Sequence, residues 1–372
     1  MNEQLQYWVA FNNVPGIGRV RTANLEQYFG SLEEAWHAPI GEIGKSGLDS
    51  AGVKAIARYR PGISPEAELE KLHNKNVAAI TCHDKAYPAR LKEIYDYPPV
   101  LYVRGEIKPE DEWSVAVVGT RRITVYGRQV TAELTSDLAA NGITVVSGLA
   151  RGVDTIAHRS ALEAGGRTIA VLACGLDIIY PAENDRLARE IEQNGALVSE
   201  YPLGMRPRAE NFPRRNRILS GLSLGVLVTE ADEHSGAMIT ARFAVEQNRD
   251  VFAVPGSILS PVSRGVNHLI RDGARLVTGY TDIMEELNLV TVARQMEIRE
   301  LIPDTEAERL LLNELSPEPT HIDEVCRKSG LPVSEVSGTL AMMELKGLVK
   351  QVGTMNYVLA RELRQEYKVR VE

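Results

Sequence analysis

FPRRNRILSGLSLGVLVTEADEHSGAMITARFAVEQNRDVFAVPG, residues Phe212–Gly256, is the stretch of sequence that decides the fold. It begins with an arginine-rich turn and continues into an apolar strand, Leu224–Thr229. A loop of small residues then leads to a helix over Ala237–Gln247 and to a second apolar strand, Val251–Val254. Strand, loop, helix and strand in this order predict one βαβ unit.

Two features of this stretch favour a bound anion. Ser235 and Gly236 precede the helix, where the first N–H groups lack partners and the helix dipole is positive. Arg214, Arg215 and Arg217 add planar cations that match phosphate oxygens. The alternative is a loop that only turns the chain, with arginines that face solvent.

Length and composition indicate an ordinary globular protein of two or three domains. The chain has 372 residues, of which 44% are hydrophobic and 25% charged. A net charge of −8 argues against coating a polyanion with the whole surface, so any such contact is local. The segment Arg206–Arg217 is one local exception, because it holds five arginines and one glutamate.

The cysteines and the apolar runs predict a cytoplasmic protein. Cys82, Cys174 and Cys326 lie far apart, which fits a reducing compartment and excludes a disulfide framework or a cysteine zinc knuckle. The start of the chain has no basic-then-apolar signal, and no apolar run approaches the roughly twenty residues of a membrane helix.

Residues 1–70 are predicted to form a small helical domain similar to SAM or helix-hairpin-helix domains. Val14–Gly18 lies between two helical stretches, and its glycines suit a hairpin whose N–H groups face a DNA phosphate. Ser46–Leu48 is a second, poorer hairpin. The alternative is that both turns only pack helices together.

Residues 71–290 are predicted to form an α/β domain with a doubly wound, mostly parallel sheet. Continuous apolar strands alternate with helices, a pattern typical of strands covered on both faces. With the first βαβ unit we count six or seven strands, the others over 115–118, 143–146, 168–173, 196–199 and 274–278. Val77–Thr81 is a short strand, and the proline-rich run Tyr95–Tyr102 suits an irregular edge that covers the sheet.

The loops after parallel strands share one rim, where ligands bind near the reversal of strand order. The residues predicted on this rim are Gly119, Arg121, Arg122, Ser147, Gly148, Arg151, Gly175, Ser235 and Gly236. Neither the dinucleotide fingerprint nor a Gly-Lys-Ser/Thr P-loop occurs, and no His/Cys/Asp cluster has metal-ligand spacing, so no cofactor is predicted.

The rim indicates binding rather than catalysis. The candidates by residue type for a nucleophile and its base are Ser147, Asp154 and His158, but their order along the chain gives no reason to expect a catalytic triad. His158 follows Asp154 by four residues and suits a helix-surface pair or a packed imidazole. Glu230, at a strand end, could act as a base or cap neighbouring N–H groups.

Residues 306–372 are predicted to form a winged-helix-like domain, after a charged connection over 288–303. Three helices and a hairpin, Gly347–Lys350 with Asn356–Leu359, follow the winged-helix outline, with a break at Pro317–Pro319. The would-be recognition helix, Val333–Leu345, contains no Lys or Arg, which favours protein contact or packing over duplex reading.

Several blocks together resemble the DNA-processing protein A family, DprA/Smf. They are Val118–Arg122 with Tyr126-Gly127, Ser147–Asp154 with Ala157-His158, Gly175–Pro181, Phe212–Gly221, Ser235-Gly236 and Val254–Gly256. The match covers roughly residues 70–280, in the family's order, and the flanking helical and winged-helix units also fit.

The resemblance implies an extended Rossmann domain that binds single-stranded DNA and hands it to the recombinase RecA in natural transformation or recombination. It implies a non-enzymatic protein that self-associates through this domain. By the family's pattern, Arg121 is the phosphate-binding arginine and Phe212 the aromatic that contacts a base, beside the basic motif Arg215, Asn216 and Arg217. Many relatives carry Lys or Arg just before the phenylalanine, whereas this chain has Ala209–Asn211.

Two other classes of function compete with this one. The loop from Glu230 to Gly236 is also similar to the nucleotide loop of lysine-decarboxylase-like nucleoside phosphoribohydrolases. Those enzymes carry Pro-Gly-Gly-x-Gly-Thr followed by a catalytic glutamate, and Ala-Asp-Glu-His-Ser-Gly departs from it. The third class is an interaction scaffold with neither activity nor DNA affinity.

Overall fold

The computed structural model describes residues 4–289, 305–315, 319–345, 349–353 and 355–359. The chain divides into two compact units, residues 1–287 and 288–372. The three-domain division predicted from the sequence remains a prediction. Among the described residues, no helix is both long and apolar enough to span a bilayer.

Short capped helices open the first unit. They are α1 (Leu5–Asn12), α2 (Arg19–Phe29), α3 (Leu32–His37), α4 (Ile40–Ile43), α5 (Ser50–Tyr59) and α6 (Pro65–Asn74). The side chains of Ser31, Asp49 and Ser64 accept N–H bonds at the starts of α3, α5 and α6. Gly30, with φ of 80°, ends α2 in the left-handed conformation that glycine adopts without strain.

A nine-stranded sheet forms the centre of the first unit. Its strands are β1 (Ala78–Thr81), β2 (Val100–Gly105), β3 (Ser114–Val118), β4 (Thr144–Ser147), β5 (Thr168–Val171), β6 (Gly195–Ser199), β7 (Gly225–Val228), β8 (Asp250–Ala253) and β9 (Arg275–Leu276). The spatial order is β1-β2-β6-β5-β4-β3-β7-β8-β9. Strands β3 to β7 are buried along their whole length, which confirms the mostly parallel sheet covered on both faces.

Helices connect these strands and cover the sheet. They are α7 (Ala89–Lys92), α8 (Val125–Ala140), α9 (Val153–Glu163), α10 (Asp185–Asn194), α11 (Asn211–Leu222), α12 (Gly236–Glu246), α13 (Arg264–Arg271) and α14 (Tyr280–Glu286). The chain runs outward from β3 through β4 and β5 to β6, and then returns to place β7 on the other side of β3. Strand order therefore reverses between β3 and β7, and the crevice outside their carboxyl ends is the expected ligand site.

The predicted count of six or seven strands is wrong because β1 and β2 also belong to the sheet. Strand β2 pairs antiparallel with β6, and β1 pairs antiparallel with β2. The proline-rich run was predicted to stay outside the sheet as an irregular cover. Pro98 and Pro99 lie just before β2, however. Because no proline stands within the strand, all of its residues keep their backbone N–H groups.

The arginine-rich turn predicted at the start of Phe212–Gly256 is also wrong, because these residues form α11. Pro213 lies in the first turn of that helix. First-turn N–H groups have no intrahelical acceptor, so a proline is tolerated there. The arginines consequently project from a helix in several directions.

The second unit contains a three-stranded sheet and a helical layer. Its elements are α15 (Glu306–Glu314), β10 (Thr320–His321), α16 (Ile322–Ser329), α17 (Val333–Leu345), β11 (Val349–Gln351) and β12 (Asn356–Leu359), with the strand order β10-β12-β11. Leu311, Val325, Val336 and Leu340 lie in its apolar core. The 290–303 part of the predicted connection, most of the Pro317–Pro319 break and residues Gly347-Leu348 lie outside the described residues.

Candidate nucleic-acid interface

A groove of about 770 Å³ lies at the reversal point between β3 and β7. Its walls come from the segments that follow strands β3 to β7, from α11 and from the first half of α12. Its lining includes Gly119, Thr120, Arg121, Arg122, Asp154, Tyr180, Pro207, Phe212, Arg215, Asn216, Asp232, Ser235, Gly236 and Thr240. Eight of the fourteen candidate residues from the sequence are in this set.

Arg121 and two aromatic rings form one side of the groove. The Arg121 guanidinium carbon lies 5.2 Å from the centre of the Phe212 ring. Tyr180 meets the same ring edge-on, with 5.7 Å between ring centres. The groove therefore presents a cation beside an aromatic surface, a combination suited to a phosphate and a base.

The start of α12 contributes a wall without a side chain. Ser235 caps the helix by accepting the Ala237 N–H at 3.2 Å, and Asn216 Nδ2 donates to the Gly236 carbonyl at 3.2 Å. A Cβ added at Gly236 would meet no atom within 4 Å. Packing alone does not require glycine here, whereas the close approach of a ligand to the backbone would.

Arg215 forms part of the groove floor. It is 3% exposed, and its guanidinium donates to the carbonyls of Gly148, at 2.8 Å, and Val171. Asp154 is buried nearby, where burial raises the pKa of its carboxyl and the positive charge of Arg215 opposes that rise. Burial lowers the pKa of Arg215, and the Asp154 charge opposes that change. Within the described part of the chain, Arg215 Nε is buried without a hydrogen-bond partner.

His158 is a packed imidazole, as one interpretation of the sequence proposed. Its Nδ1 lies 2.7 Å from the Thr168 hydroxyl, which itself donates to the Val145 carbonyl. Nδ1 therefore carries the proton and donates it. Burial and the Arg215 charge lower the pKa of His158 to about 3, so the ring is neutral.

Glu230 acts as a cap. Its carboxylate accepts the Thr124 N–H at 2.9 Å and the Thr124 hydroxyl at 2.5 Å. It is 2% exposed, and a Cβ at Gly127 would lie 2.1 Å from it. The carboxylate stabilises the start of α8 through these bonds. Of the two roles proposed for Glu230 from the sequence, a cap of neighbouring N–H groups or a general base, the contacts confirm the cap.

Arg217 lies outside the groove lining, although the family resemblance grouped it with the basic motif. Its guanidinium binds both carboxylate oxygens of Glu200, at 3.1 and 2.7 Å, and its Nε lies 2.8 Å from Asp96. Most residues of α11 that line the groove recur at helical spacing, namely Phe212, Arg215, Asn216 and Leu219, and Pro213 beside Phe212 completes the set. Arg217 projects from another side of the same helix and ties it to β6.

The remaining candidates also lie outside the lining. The Ser147 hydroxyl is fully buried and donates to the Val117 carbonyl at 2.7 Å. Gly148 and Gly175 are packing glycines, because a Cβ would lie 2.4 Å from Arg215 and 2.5 Å from the Pro202 carbonyl. Arg151 forms a bidentate pair with Glu183 at 2.8 Å. Arg214 is exposed on α11.

Exposed cations surround the groove. In the described residues, no ion pair involves Arg121, Arg122, Arg206 or Arg214, and all four are exposed. Arg206 precedes the lining residue Pro207, and Arg214 adjoins the lining residue Arg215. Phosphates at the groove would therefore meet arginines that are not held in ion pairs with described carboxylates.

Reasoning from the sequence missed several lining residues. Tyr180 is the most informative of them, because it lies within the motif Gly175–Pro181 and contacts Phe212. An exposed tyrosine in a strand-end motif was an available signal. Asp232 and Thr240 belong to the loop after β7 and to α12, where no pattern distinguished them. The searched part of the chain holds no group of His, Cys, Asp or Glu side chains that could bind a metal ion.

Comparisons with known proteins identify the family of this chain. The family model for DNA recombination-mediator protein A matches residues 78–288, and the model for the DprA winged helix domain matches residues 299–353. The chain is 35% identical to the protein Smf of Synechocystis, over 96% of this chain and 99% of that protein.

Two solved structures are similar as well. The DNA processing protein A of Streptococcus pneumoniae is 37% identical with a TM-score of 0.66, covering 75% of this chain and 96% of that one. The DNA processing protein A of Helicobacter pylori, solved to explain its single-stranded DNA binding mode, is 36% identical with a TM-score of 0.52. That match covers 57% of this chain and 95% of the other. The chain belongs to the DNA recombination-mediator protein A family, with a winged helix domain of the DprA type at its carboxyl-terminal end.

Proposed function

We propose that this protein binds single-stranded DNA in the groove between β3 and β7 and delivers it to the recombinase RecA during transformation or recombination. The single observation that carries this proposal is Arg121 lying over the Phe212 ring, 5.2 Å away, in a groove beside exposed arginines that form no ion pair with any described residue. Arginines that follow a backbone, with an aromatic that stacks on any base, are the usual design for single strands.

A single strand suits the groove better than a duplex. The half-buried Phe212 ring belongs to the lining, so full use of the site requires a base to enter it. Bases in a duplex are stacked and paired, whereas those of a single strand are free to turn outward. The Helicobacter pylori relative, whose single-stranded DNA binding mode is described, supports the same choice.

Several contacts favour binding over catalysis. Glu230 is engaged by Thr124, the Ser147 hydroxyl by Val117, and His158 is neutral and buried. The nucleotide-processing alternative needs a catalytic glutamate that is free to act. Detection of free adenine after incubation with AMP would support that alternative.

Binding of a labelled oligothymidine should exceed binding of a duplex of equal length. If the four exposed arginines each contact one phosphate, the log of affinity should fall with log salt at a slope of about −3, since each contact contributes roughly 0.7 for single strands. Fluorescence anisotropy at several salt concentrations measures both quantities. Equal affinity for single strand and duplex would contradict the proposal.

Gly236→Ala should weaken single-strand binding while leaving the fold intact. The added methyl meets no protein atom within 4 Å, so the free energy of unfolding should change by no more than about 1 kcal/mol. The methyl would instead occupy space needed by the ligand. Gly41→Ala, at another open helical glycine in α4, is the matched control. Unchanged oligothymidine affinity in Gly236→Ala would remove the start of α12 from the binding surface.

We also propose that the protein forms a homodimer through the Rossmann domain and acts in the cytoplasm. Strand β9 ends the sheet order, and Leu276 on it is 48% exposed, so this edge is one surface available to a second copy. Light scattering after gel filtration should give twice the chain mass of 41.0 kDa.

RecA delivery is tested separately, by RecA filament formation on oligothymidine covered with single-strand-binding protein, with and without this protein.

A further inference from the structure

The amino-terminal hairpin, residues Val14–Gly18, is followed by two arginines that contact the protein itself. Arg21 donates to the Gly16 carbonyl at 2.6 Å and pairs with Asp49 at 2.8 Å. Arg19 donates to the Tyr95 carbonyl at 2.5 Å. Arg19 thus holds the segment Tyr95–Tyr97, which follows α7.

Arg19 lies against two tyrosine rings of that segment. Its guanidinium carbon is 5.3 Å from the centre of the Tyr95 ring and 4.6 Å from that of Tyr97. Tyr97 packs edge-on against Tyr87, whose hydroxyl donates to the Pro98 carbonyl at 2.7 Å. We call Tyr95, Arg19 and Tyr97 the tyrosine ladder. Its inner end is fixed by these contacts, and its outer ring, Tyr95, is 80% exposed.

The tyrosine ladder is joined directly to the helix that carries Phe212. Asp96, between the two tyrosines, pairs with Arg217 of α11 at 2.8 Å. Arg217 follows Phe212 by five residues, which is about 7.5 Å along a helix axis. The exposed Arg214 lies between them in α11, and its carbonyl accepts from Arg217 at 3.4 Å. Phe212, Arg214 and Arg217 therefore share one helix, and Arg217 connects that helix to the residue next to Tyr95.

We propose that Tyr95 is a second stacking platform for single-stranded DNA, outside the groove. This inference rests on the proposed function, because it needs a strand bound at Phe212 that continues past Arg214. A ring held by a guanidinium has little conformational freedom to lose when a base stacks on it, and its hydroxyl is not needed for stacking. Arg217, which pairs with Asp96, and Arg19, which donates to the Tyr95 carbonyl, together offset part of the repulsion between Asp96 and the strand.

Oligonucleotide length provides the test. With the full chain, Tyr95→Ala should bind an oligothymidine of about 25 nucleotides roughly ten-fold more weakly than the parent, the usual contribution of one stacked base. It should bind one of about 5 nucleotides, which fills only the groove, as the parent does. Tyr95→Phe should restore the affinity for the long oligonucleotide. Tyr59→Ala, which removes another exposed tyrosine with an arginine over its ring, should change neither.

A direct optical readout separates stacking from indirect effects. In Tyr95→Trp, the long oligonucleotide should quench the new exposed tryptophan, and the short one should not. If Tyr95→Ala binds the long oligonucleotide as tightly as the parent, and no quenching occurs, the second platform is disproved while the groove remains. If the parent binds neither oligonucleotide, the proposed function itself fails. Quenching by a protein partner but not by DNA would assign the ladder to protein contact and overturn the proposal.

Discussion

Arg217→Ala is expected to lower the free energy of unfolding of the first unit by about 3–5 kcal/mol, the usual cost of removing one partner of a buried ion pair. Arg217 is 8% exposed and is the shared partner of Glu200 and Asp96. The side chain of Glu200 is only 18% exposed, so without Arg217 its charge would remain largely out of water and uncompensated.

Urea unfolding followed by circular dichroism measures this change. Arg214→Ala is the matched control, because it removes an exposed arginine from the same helix and should alter stability by no more than about 0.5 kcal/mol. For affinity towards single-stranded DNA the order of the two variants should be reversed. Arg214→Ala should bind more weakly because it loses one phosphate contact, whereas Arg217→Ala loses none. If Arg217→Ala were as stable as the parent but lost single-strand binding, Arg217 would belong to the DNA-contacting set.

The stability lost in Arg217→Ala should depend on pH. Burial raises the pKa of Glu200 above its ordinary value, and Arg217 partly opposes this rise. A carboxyl whose folded-state pKa is raised favours the folded state less as pH increases through that pKa. Removing Arg217 raises the pKa of Glu200 further, so the deficit should be largest at alkaline pH, where Glu200 is charged, and shrink as the pH falls through that raised pKa and the carboxyl takes up its proton. A deficit that stays constant over this range would exclude Glu200 as its cause.

Arg121→Ala and Phe212→Ala should each weaken oligothymidine binding about ten-fold or more, since a stacked base contributes roughly 1–3 kcal/mol and an arginine contact a comparable amount. The two variants are distinguished by salt. Arg121→Ala should make the salt slope shallower by about 0.7, whereas Phe212→Ala should leave the slope unchanged because the ring carries no charge. Anisotropy titrations at several salt concentrations provide both values.

The matched control for Arg121 is Arg151, which is also exposed and also follows a strand of the sheet. Arg151 is held by Glu183 in a bidentate pair at 2.8 Å, outside the groove lining. Arg151→Ala should therefore keep the affinity and slope of the parent. Loss of binding in Arg151→Ala but not in Arg121→Ala would place the strand along a different part of the rim. The double variant Arg121→Ala/Phe212→Ala should lose less than the sum of the single changes, because the two side chains are in contact.

Periodicity in the sequence was sufficient for the sheet, but not for the elements added at its edge. Uninterrupted apolar strands are typical of a sheet covered on both faces, so β3 to β8 and their connecting helices other than α11 follow from local pattern. Strand β2 was missed because Pro98 and Pro99, just before it, give this part of the sequence the composition of an irregular edge. Its place between β1 and β6 is a long-range pairing, which short-range patterns do not encode.

The sequence pattern by itself determined the doubly wound fold and the rim of strand-end loops, whereas the family resemblance singled out Arg121 and Phe212, and the structure showed that they are in contact. Only the tertiary structure decided which arginines line the groove. Arg215 and Arg217 are two residues apart in one basic motif, yet one lies in the groove floor and the other is tied to Glu200. The physical reason is that a helix turns each successive side chain by about 100°, so its direction depends on what packs around the helix and not on charge or spacing along the chain.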